Sequence, residues 1–379
     1  MNYDLDTEQK LLKEGARYFL SKESNTTLVR EMLKDEKGYS PGIWKKMADL
    51  GWMGILIPEE YGGHSEMSFI DLTVLLYEMG YACFPSPFFS TAVLGVVTLL
   101  EAGSDAQKQN LFPEVASGER ILTLAWNESN GTYSAQEILT RADLQTDHYV
   151  LSGEKLFVPD AHVADTILCA ARTKDFQEGS EEGVSLFIVD RKSPKLGVKV
   201  LSSIAGEKLC EITFNQVKVP KQNLLGELNQ GWSVLRKVLL KSAVAKCAEM
   251  SGGAQKVLEM VIDHAKKRVQ FGRPIGSFQA IQHHCANILT YVDTSTFITF
   301  QAGWRISEGL SFEKEASMCK AWVSDSYRKL VALGHQVMGG TGFMEETDLQ
   351  LYFRRAKAAE MAFGDADFHR ELVAQQMGL

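Results

Sequence analysis

The stretch AEMAFGDADFHREL, residues 359–372, sets Glu360, Asp365, Asp367 and Glu371 beside His369. A carboxylate or imidazole within reach of an acidified C–H is the usual agent of proton abstraction. Gly364 and Asp365 interrupt what otherwise reads as the end of an amphipathic helix, a place where the backbone can re-aim a side chain. Asp also favours caps and turns on its own account, so a helix-breaking Gly-Asp turn is the simpler expectation. Asp365 and His369 stand four residues apart and share a helix face, whereas Asp367 points elsewhere, so no metal site is expected here. A second concentration of chemistry is AKKRVQFGRPIGSFQAIQHHCAN, 265–287, where Lys266, Lys267, Arg268 and Arg273 gather positive charge on an acidic chain. Arginine suits a bidentate hold on phosphate oxygens, and Phe271 offers an aromatic face beside it. The same cations would also complement the dipole of a solvated helix end. Gly339 and Gly340 in HQVMGGTGF permit close backbone approach to a ligand. No strand pattern precedes them, so they make no dinucleotide-binding βαβ unit.

The elements that must position these residues change texture twice. The first ~120 residues carry helical spacing (Leu11, Leu12, Ala16, Phe19, Leu20; then Trp44, Met47, Leu50), with Ser68 and Ser104 as N-caps. Between about 120 and 225 the runs ILTLAW, HYVLSG, TILCAART, VSLFIVD and EITFNQVKVP are short and β-rich, and turn residues separate them. EGSEEG, 178–183, reads as a solvated loop. Helical periodicity returns after Gly231, with one helix ending near Phe271 and the next beginning at Ser277. The expectation is an α+β chain: an N-terminal helical domain (1–120), a central β-barrel-like domain (121–228) and a C-terminal four-helix bundle (229–379). The formal charge of −8 argues against a nucleic-acid surface, and no apolar run is long enough to span a bilayer. The acidic start MNYDLDTEQK shows no secretory signal, and the six scattered cysteines form no CxxC pair. Buried thiols in a reducing, cytoplasmic setting are expected.

The stretch 265–287 resembles the signature of the acyl-CoA dehydrogenase family, FAD enzymes that oxidise the α,β-bond of acyl-CoA thioesters. HQVMGGTGF (335–343) resembles the family's second C-terminal motif, EKLFVPDAHVAD (154–165) its flavin loop and GILIPEEYGG (54–63) its N-terminal motif. The four occur in family order over essentially the whole chain. The resemblance implies FAD held between two subunits of a homo- or hetero-dimer or tetramer, an acyl-CoA substrate and an electron-transfer flavoprotein as acceptor. It implies neither a nucleic-acid partner nor a membrane span. It carries Arg268, Gln270 and Phe271 to phosphate and ribityl contacts, and Gln336, Gly339 and Gly340 to the adenosine side. Trp126, Asn127, Phe157 and Pro159 fall at the flavin-facing positions of the β domain. Asn127 replaces a threonine there, and Pro159 has neither the hydroxyl nor the N–H with which many members reach the flavin.

The proton-abstracting glutamate of most members aligns with Phe363, and the alternative position on the first bundle helix aligns with Ser242. Ala243 stands where many members contact substrate with arginine. Asp365, two residues past the first position, is the candidate substitute. The implied activity is α,β-dehydrogenation of an acyl-CoA with transfer of the β-hydrogen to FAD. The alternatives are a half-site subunit of a heteromeric dehydrogenase, or a flavin monooxygenase or oxidase on the same fold.

Overall fold

The computed structural model describes residues 4–64, 67–131, 133–177 and 180–379, so part of the expected EGSEEG loop lies outside the described residues. In chain order the helices α1 (Thr7–Glu23), α2 (Thr26–Lys34), α3 (Pro41–Asp49) and α4 (Phe69–Tyr81) come first. A π-helical segment (Phe89–Gly95) runs into α5 (Val96–Ala102), and α6 (Asp105–Ala116) follows. Then come β1 (Leu122–Ala125), β2 (Arg141–Leu144), β3 (His148–Pro159), β4 (Thr166–Arg172), β5 (Val184–Asp190), β6 (Leu196–Val200), β7 (Leu209–Pro220) and β8 (Leu224–Leu225). The C-terminal part holds α7 (Gly231–Lys267), the short pair β9 (Val269–Gln270) and β10 (Arg273–Pro274), α8 (Gln279–Ser307), α9 (Glu313–Met338), α10 (Leu349–Met361) and α11 (Ala366–Gln376). This is the expected succession of helical, sheet and helical segments.

Contacts group the chain into two compact units, one of residues 1–31, 68–84 and 240–379, the other of 32–67 and 85–239. The division therefore falls inside α7, and the helices of residues 1–120 are shared out between the units.

In the first unit, α4 crosses α7 at backbone contact. A Cβ added to Gly252 would lie 1.8 Å from the Tyr77 carbonyl oxygen, and one on Gly80 would lie 2.0 Å from that of Glu249. Glycine is what this crossing requires, because any side chain would push the helices apart. Leu330, Val331 and Tyr327 of α9 are buried with Val257 and Val261 of α7. The start of α4 is fixed as expected by a capping box, Ser68 N–H donating to Asp71 at 2.8 Å. Glu78, fully buried on α4, is held by the guanidinium of Arg17.

The second unit is built on one sheet of order β6-β7-β3-β2-β4-β5-β8, with β1 joined parallel to β4. Its apolar face gathers Tyr149, Leu151, Val158, Phe187, Ile212 and Phe214. Strands β3 and β7 pair antiparallel over most of their length, with irregularities between Leu151 and Ser152 and between Lys155 and Val158. The six cysteines are free thiols and all but Cys285 are buried. Among the described residues no helix is long and apolar enough to cross a membrane, and no cluster suited to a metal ion occurs.

Two boundaries differ from expectation. The helix expected to reach Phe271 ends at Lys267, because Val269–Gln270 pair antiparallel with Arg273–Pro274 across a turn at Gly272 (φ +79°). The following helix begins at Gln279, after a single 3-10 turn over Ile275–Ser277.

Candidate active site

The basic corner and the glycine pair meet. The tight β9–β10 turn and the C-terminal end of α9 line one open pocket of about 620 Å³, to which Arg268, Gln270, Phe271, Gly339 and Gly340 contribute. The turn is set by backbone bonds, Arg268 N–H to His264 O and Ile275 N–H to Arg268 O, both 2.8 Å. Phe271 is 92% exposed in a left-handed conformation (φ +53°), its ring edge-on to Phe278 at 6.0 Å. Gly339 takes φ +60° as it terminates α9, and a Cβ at either Gly339 or Gly340 would meet nothing within 4 Å. The open space at the glycines is thus unfilled by the described residues, and Arg268 brings a guanidinium to its rim. Gln336 is exposed on the last turn of α9 but is not among the lining residues.

Beneath this end of α9 lies His335, which the sequence reading did not single out. Its ring stacks on Phe343 at 4.4 Å and meets Phe353 edge-on at 5.0 Å. Neither ring nitrogen finds a hydrogen-bond partner, and burial lowers its pKa, which favours the neutral ring.

The second group of expected residues lies on the sheet unit. The irregularity between Lys155 and Val158 is a bulge that leaves Phe157 at φ +57° and 54% exposed. A bulge of this kind re-aims a side chain out of the pleat. Leu156 N–H donates to the Asn127 carbonyl at 2.9 Å, which brings the loop after β1 alongside the bulge. Pro159 offers no donor; its carbonyl accepts from the Thr123 hydroxyl at 2.6 Å. Trp126 is buried with its ring 5.2 Å from that of Tyr133. Behind this surface is an ion pair that the sequence reading also missed. Lys155 Nζ, fully buried, reaches Glu128 Oε1 at 2.6 Å and the Trp126 carbonyl at 3.2 Å. Glu128 accepts in addition from Leu139 N–H (2.9 Å) and Thr140 N–H (3.0 Å). Its partners satisfy the carboxylate, the condition under which a buried pair is tolerated.

The third group is the acid-rich stretch. The chain leaves α10 after Met361 and enters α11 at Ala366 through an elbow in which Phe363 has φ +59° and Gly364 φ +96°. Asp365 is the N-cap of α11, its carboxylate accepting from Phe368 N–H at 2.9 Å. The helix-breaking turn is therefore what the Gly-Asp pair builds. The Asp365 carbonyl accepts the first helical bond of α11, from His369 N–H at 3.2 Å. His369 is buried and turns back to hydrogen-bond the Phe363 carbonyl through Nε2 at 2.8 Å. Burial pushes the His369 pKa down to about 4, so the ring is neutral at pH 7 and Nε2 carries the proton that it donates. Ser242 and Ala243 are both fully buried in α7.

Family models described as the N-terminal, middle and C-terminal domains of acyl-CoA dehydrogenase match residues 6–119, 123–217 and 229–378. The chain belongs to the acyl-CoA dehydrogenase family. Its relatives include a probable acyl-CoA dehydrogenase, YngJ, of Bacillus subtilis (32% identical, each chain covered completely). They also include the caffeyl-CoA reductase-Etf complex subunit CarC of Acetobacterium woodii (29%, covering 97% of each). The solved butyryl-CoA dehydrogenase of Megasphaera elsdenii superposes with a TM-score of 0.93 at 23% identity, covering all of both chains. The chain is an oxidoreductase of the acyl-CoA dehydrogenase type, in a family that is FAD-dependent in general.

What sequence alone could have flagged is the buried pair. Lys155 is a charged residue at an inward position of the run read as the flavin loop, and Glu128 stands two residues past the strand run ILTLAW. A charge at an inward position of a strand is the available signal.

Proposed function

We propose that this acyl-CoA dehydrogenase holds FAD with two separate surfaces and acts on an acyl-CoA thioester, passing electrons to an electron-transfer flavoprotein. The pocket lined by Arg268, Gln270, Phe271, Gly339 and Gly340 carries this reading, since it converges a phosphate-binding cation, an exposed aromatic ring and side-chain-free backbone at one place. That donor set fits the pyrophosphate and adenosine of FAD, with Gln336 one turn away on α9. The surface made by Trp126, Asn127, Phe157 and Pro159 fits the isoalloxazine. Phe157, thrown outward by the bulge, covers it, and the Lys155–Glu128 pair fixes the backbone behind it. FAD would supply the acceptor for the electron pair that leaves with the β-hydrogen as the Cα–Cβ double bond forms. In the family arrangement the two surfaces serve one flavin from two subunits, so the active particle is an oligomer. Its buried free thiols suit the cytoplasm.

Proton removal is where this chain departs from the family pattern. Phe363 cannot accept a proton, Ser242 is buried in α7 and carries no carboxylate, and one oxygen of Asp365 caps α11. That geometry favours a second reading, in which the chain is one subunit of a hetero-oligomer and its partner contributes the base. Asp365→Asn separates the two. Asparagine caps a helix as well as aspartate does but cannot act as base. If Asp365 is the base, the purified, flavin-loaded protein loses acyl-CoA oxidation while its melting temperature holds. Unchanged turnover rules Asp365 out. Flavin absorbance and native mass then decide the subunit question, a yellow homo-oligomer refuting the heteromeric reading. Oxygen consumption in place of transfer to an electron-transfer flavoprotein would point to an oxidase instead.

A further inference from the structure

Lys320 of α9 is fully buried, yet among the described residues no carboxylate pairs with its ammonium by direct contact. It donates to the Glu360 carbonyl at 2.9 Å, the Gly364 carbonyl at 2.7 Å and the Ser324 hydroxyl at 2.9 Å. Glu360 lies in the last turn of α10, where carbonyls lack helical partners, and Gly364 lies past the elbow. The two carbonyls therefore bracket Phe363, whose left-handed backbone an aromatic residue seldom adopts. On the other side His369 holds the Phe363 carbonyl. Such a conformation persists only where its surroundings over-determine it, and such residues cluster at functional sites.

We propose that Lys320 is a positioning residue for the reaction: its buried ammonium clamps both ends of the elbow and fixes the backbone that presents position 363 to the acyl thioester. The second half of that statement rests on the functional reading above; the clamp itself does not. Burial lowers the Lys320 pKa to about 8, against the opposing pull of Cys247 on α7, Cys319 on α9, and Asp365 and Glu360 at the elbow. His369 on α11 also feels its charge. Opening the elbow would return the ammonium to water and to its ordinary pKa of 10.5, so the open form holds the proton more tightly and the closed elbow is favoured as pH rises through about 8.

The test is hydrogen exchange of the full-length protein, as purified with its flavin, followed at amides 362–369 from pH 6 to 9.5 and expressed as protection factors. Wild type gains elbow protection above pH 8. Lys320→Met loses it at every pH by about 10- to 100-fold, the loss expected when hydrogen bonds from a charged donor are removed. Lys320→Met leaves the Glu360 and Gly364 carbonyls without that donor, so its melting temperature falls too, and a merely structural lysine would lower it without touching acyl-CoA affinity. Acyl-CoA affinity, read from the flavin spectrum, weakens in the variant. Elbow protection that is independent of both pH and Lys320 overturns the clamp. A loosened elbow with unaltered acyl-CoA affinity overturns its role toward substrate. The pH series on wild type decides the clamp even if the variant fails to fold. A wild type that takes no acyl-CoA sinks the functional reading and leaves the exchange result standing.

Discussion

Acidification should unlatch the elbow through His369. The ring is buried, donates to the Phe363 carbonyl and has its pKa pushed down from 6.5 to about 4, with desolvation as the leading cause. A base whose folded pKa is depressed contributes stability that is present above its unfolded pKa and lost as pH falls toward the folded one. Here that window runs from pH 6.5 to 4. Two and a half units correspond to about 3 kcal/mol, nearly all of it lost by pH 4. The perturbation is His369→Gln, whose amide keeps a donor for the Phe363 carbonyl but does not titrate. Urea unfolding of both proteins at half-unit steps between pH 7 and 4 gives the assay. The wild-type stability, measured against the variant at the same pH, should decline by about 3 kcal/mol over the window. Because the comparison is made at each pH, carboxylates common to both proteins cancel. Parallel curves would refute the argument, since they would mean that His369 is as solvated in the folded chain as in the unfolded one.

Lys155→Met leaves the Glu128 carboxylate buried without its cation and should cost about 3–5 kcal/mol by urea unfolding. The double variant Lys155→Met with Glu128→Gln should recover part of that loss. Gly252→Ala places a methyl group 1.8 Å from the Tyr77 carbonyl oxygen. The resulting separation of α4 and α7 should cost about 1–3 kcal/mol, seen as a lowered melting temperature. Arg268→Ala removes a charged donor from the pocket and should weaken FAD retention about 10- to 100-fold in equilibrium dialysis, with little change in the far-UV spectrum. Gly340→Leu fills space that the protein leaves open and should do the same.

Signals that are local in the chain were legible in the sequence. Ser68 with Asp71, and Ser104 with Gln107, each build a capping box, as a serine with an acceptor three residues on predicts. The Gly364–Asp365 break was equally readable, since glycine supplies the positive φ and aspartate the cap. Strand β2, RADL, was not, because it is four residues long with only Ala142 buried and offers no hydrophobic alternation. Strand β6, LGVKV, was missed for the same reason, having no buried residue at all. The end of α7 was misplaced because the β9–β10 turn depends on Gly272 and on pairing across it, and helical spacing alone does not report either. At the site, the convergence of 268–271 with 339–340 was an expectation taken from resemblance. The chain's own periodicity says nothing about two segments some seventy residues apart. The burial of Lys320 and His335 was illegible for a related reason. Each is a polar residue whose burial is decided by distant neighbours, and sequence reading assigns such residues to the surface by default.

The buried pair of Lys155 and Glu128 also acts on how the sheet assembles. Strand β3 pairs with β7 at ten positions, and a one-residue slip would turn Tyr149, Leu151 and Val158 away from the core. Sliding β3 by one position would set Glu154 or Leu156 where Lys155 stands, confronting Glu128 with a like charge or with hydrocarbon. Either leaves a buried carboxylate without its counter-charge, a far steeper penalty than a misplaced methyl group. The pair thus works as a key that only one alignment of the strand fits. It adds to the register that alternation sets, and so fixes where along the chain the bulge that turns Phe157 outward falls.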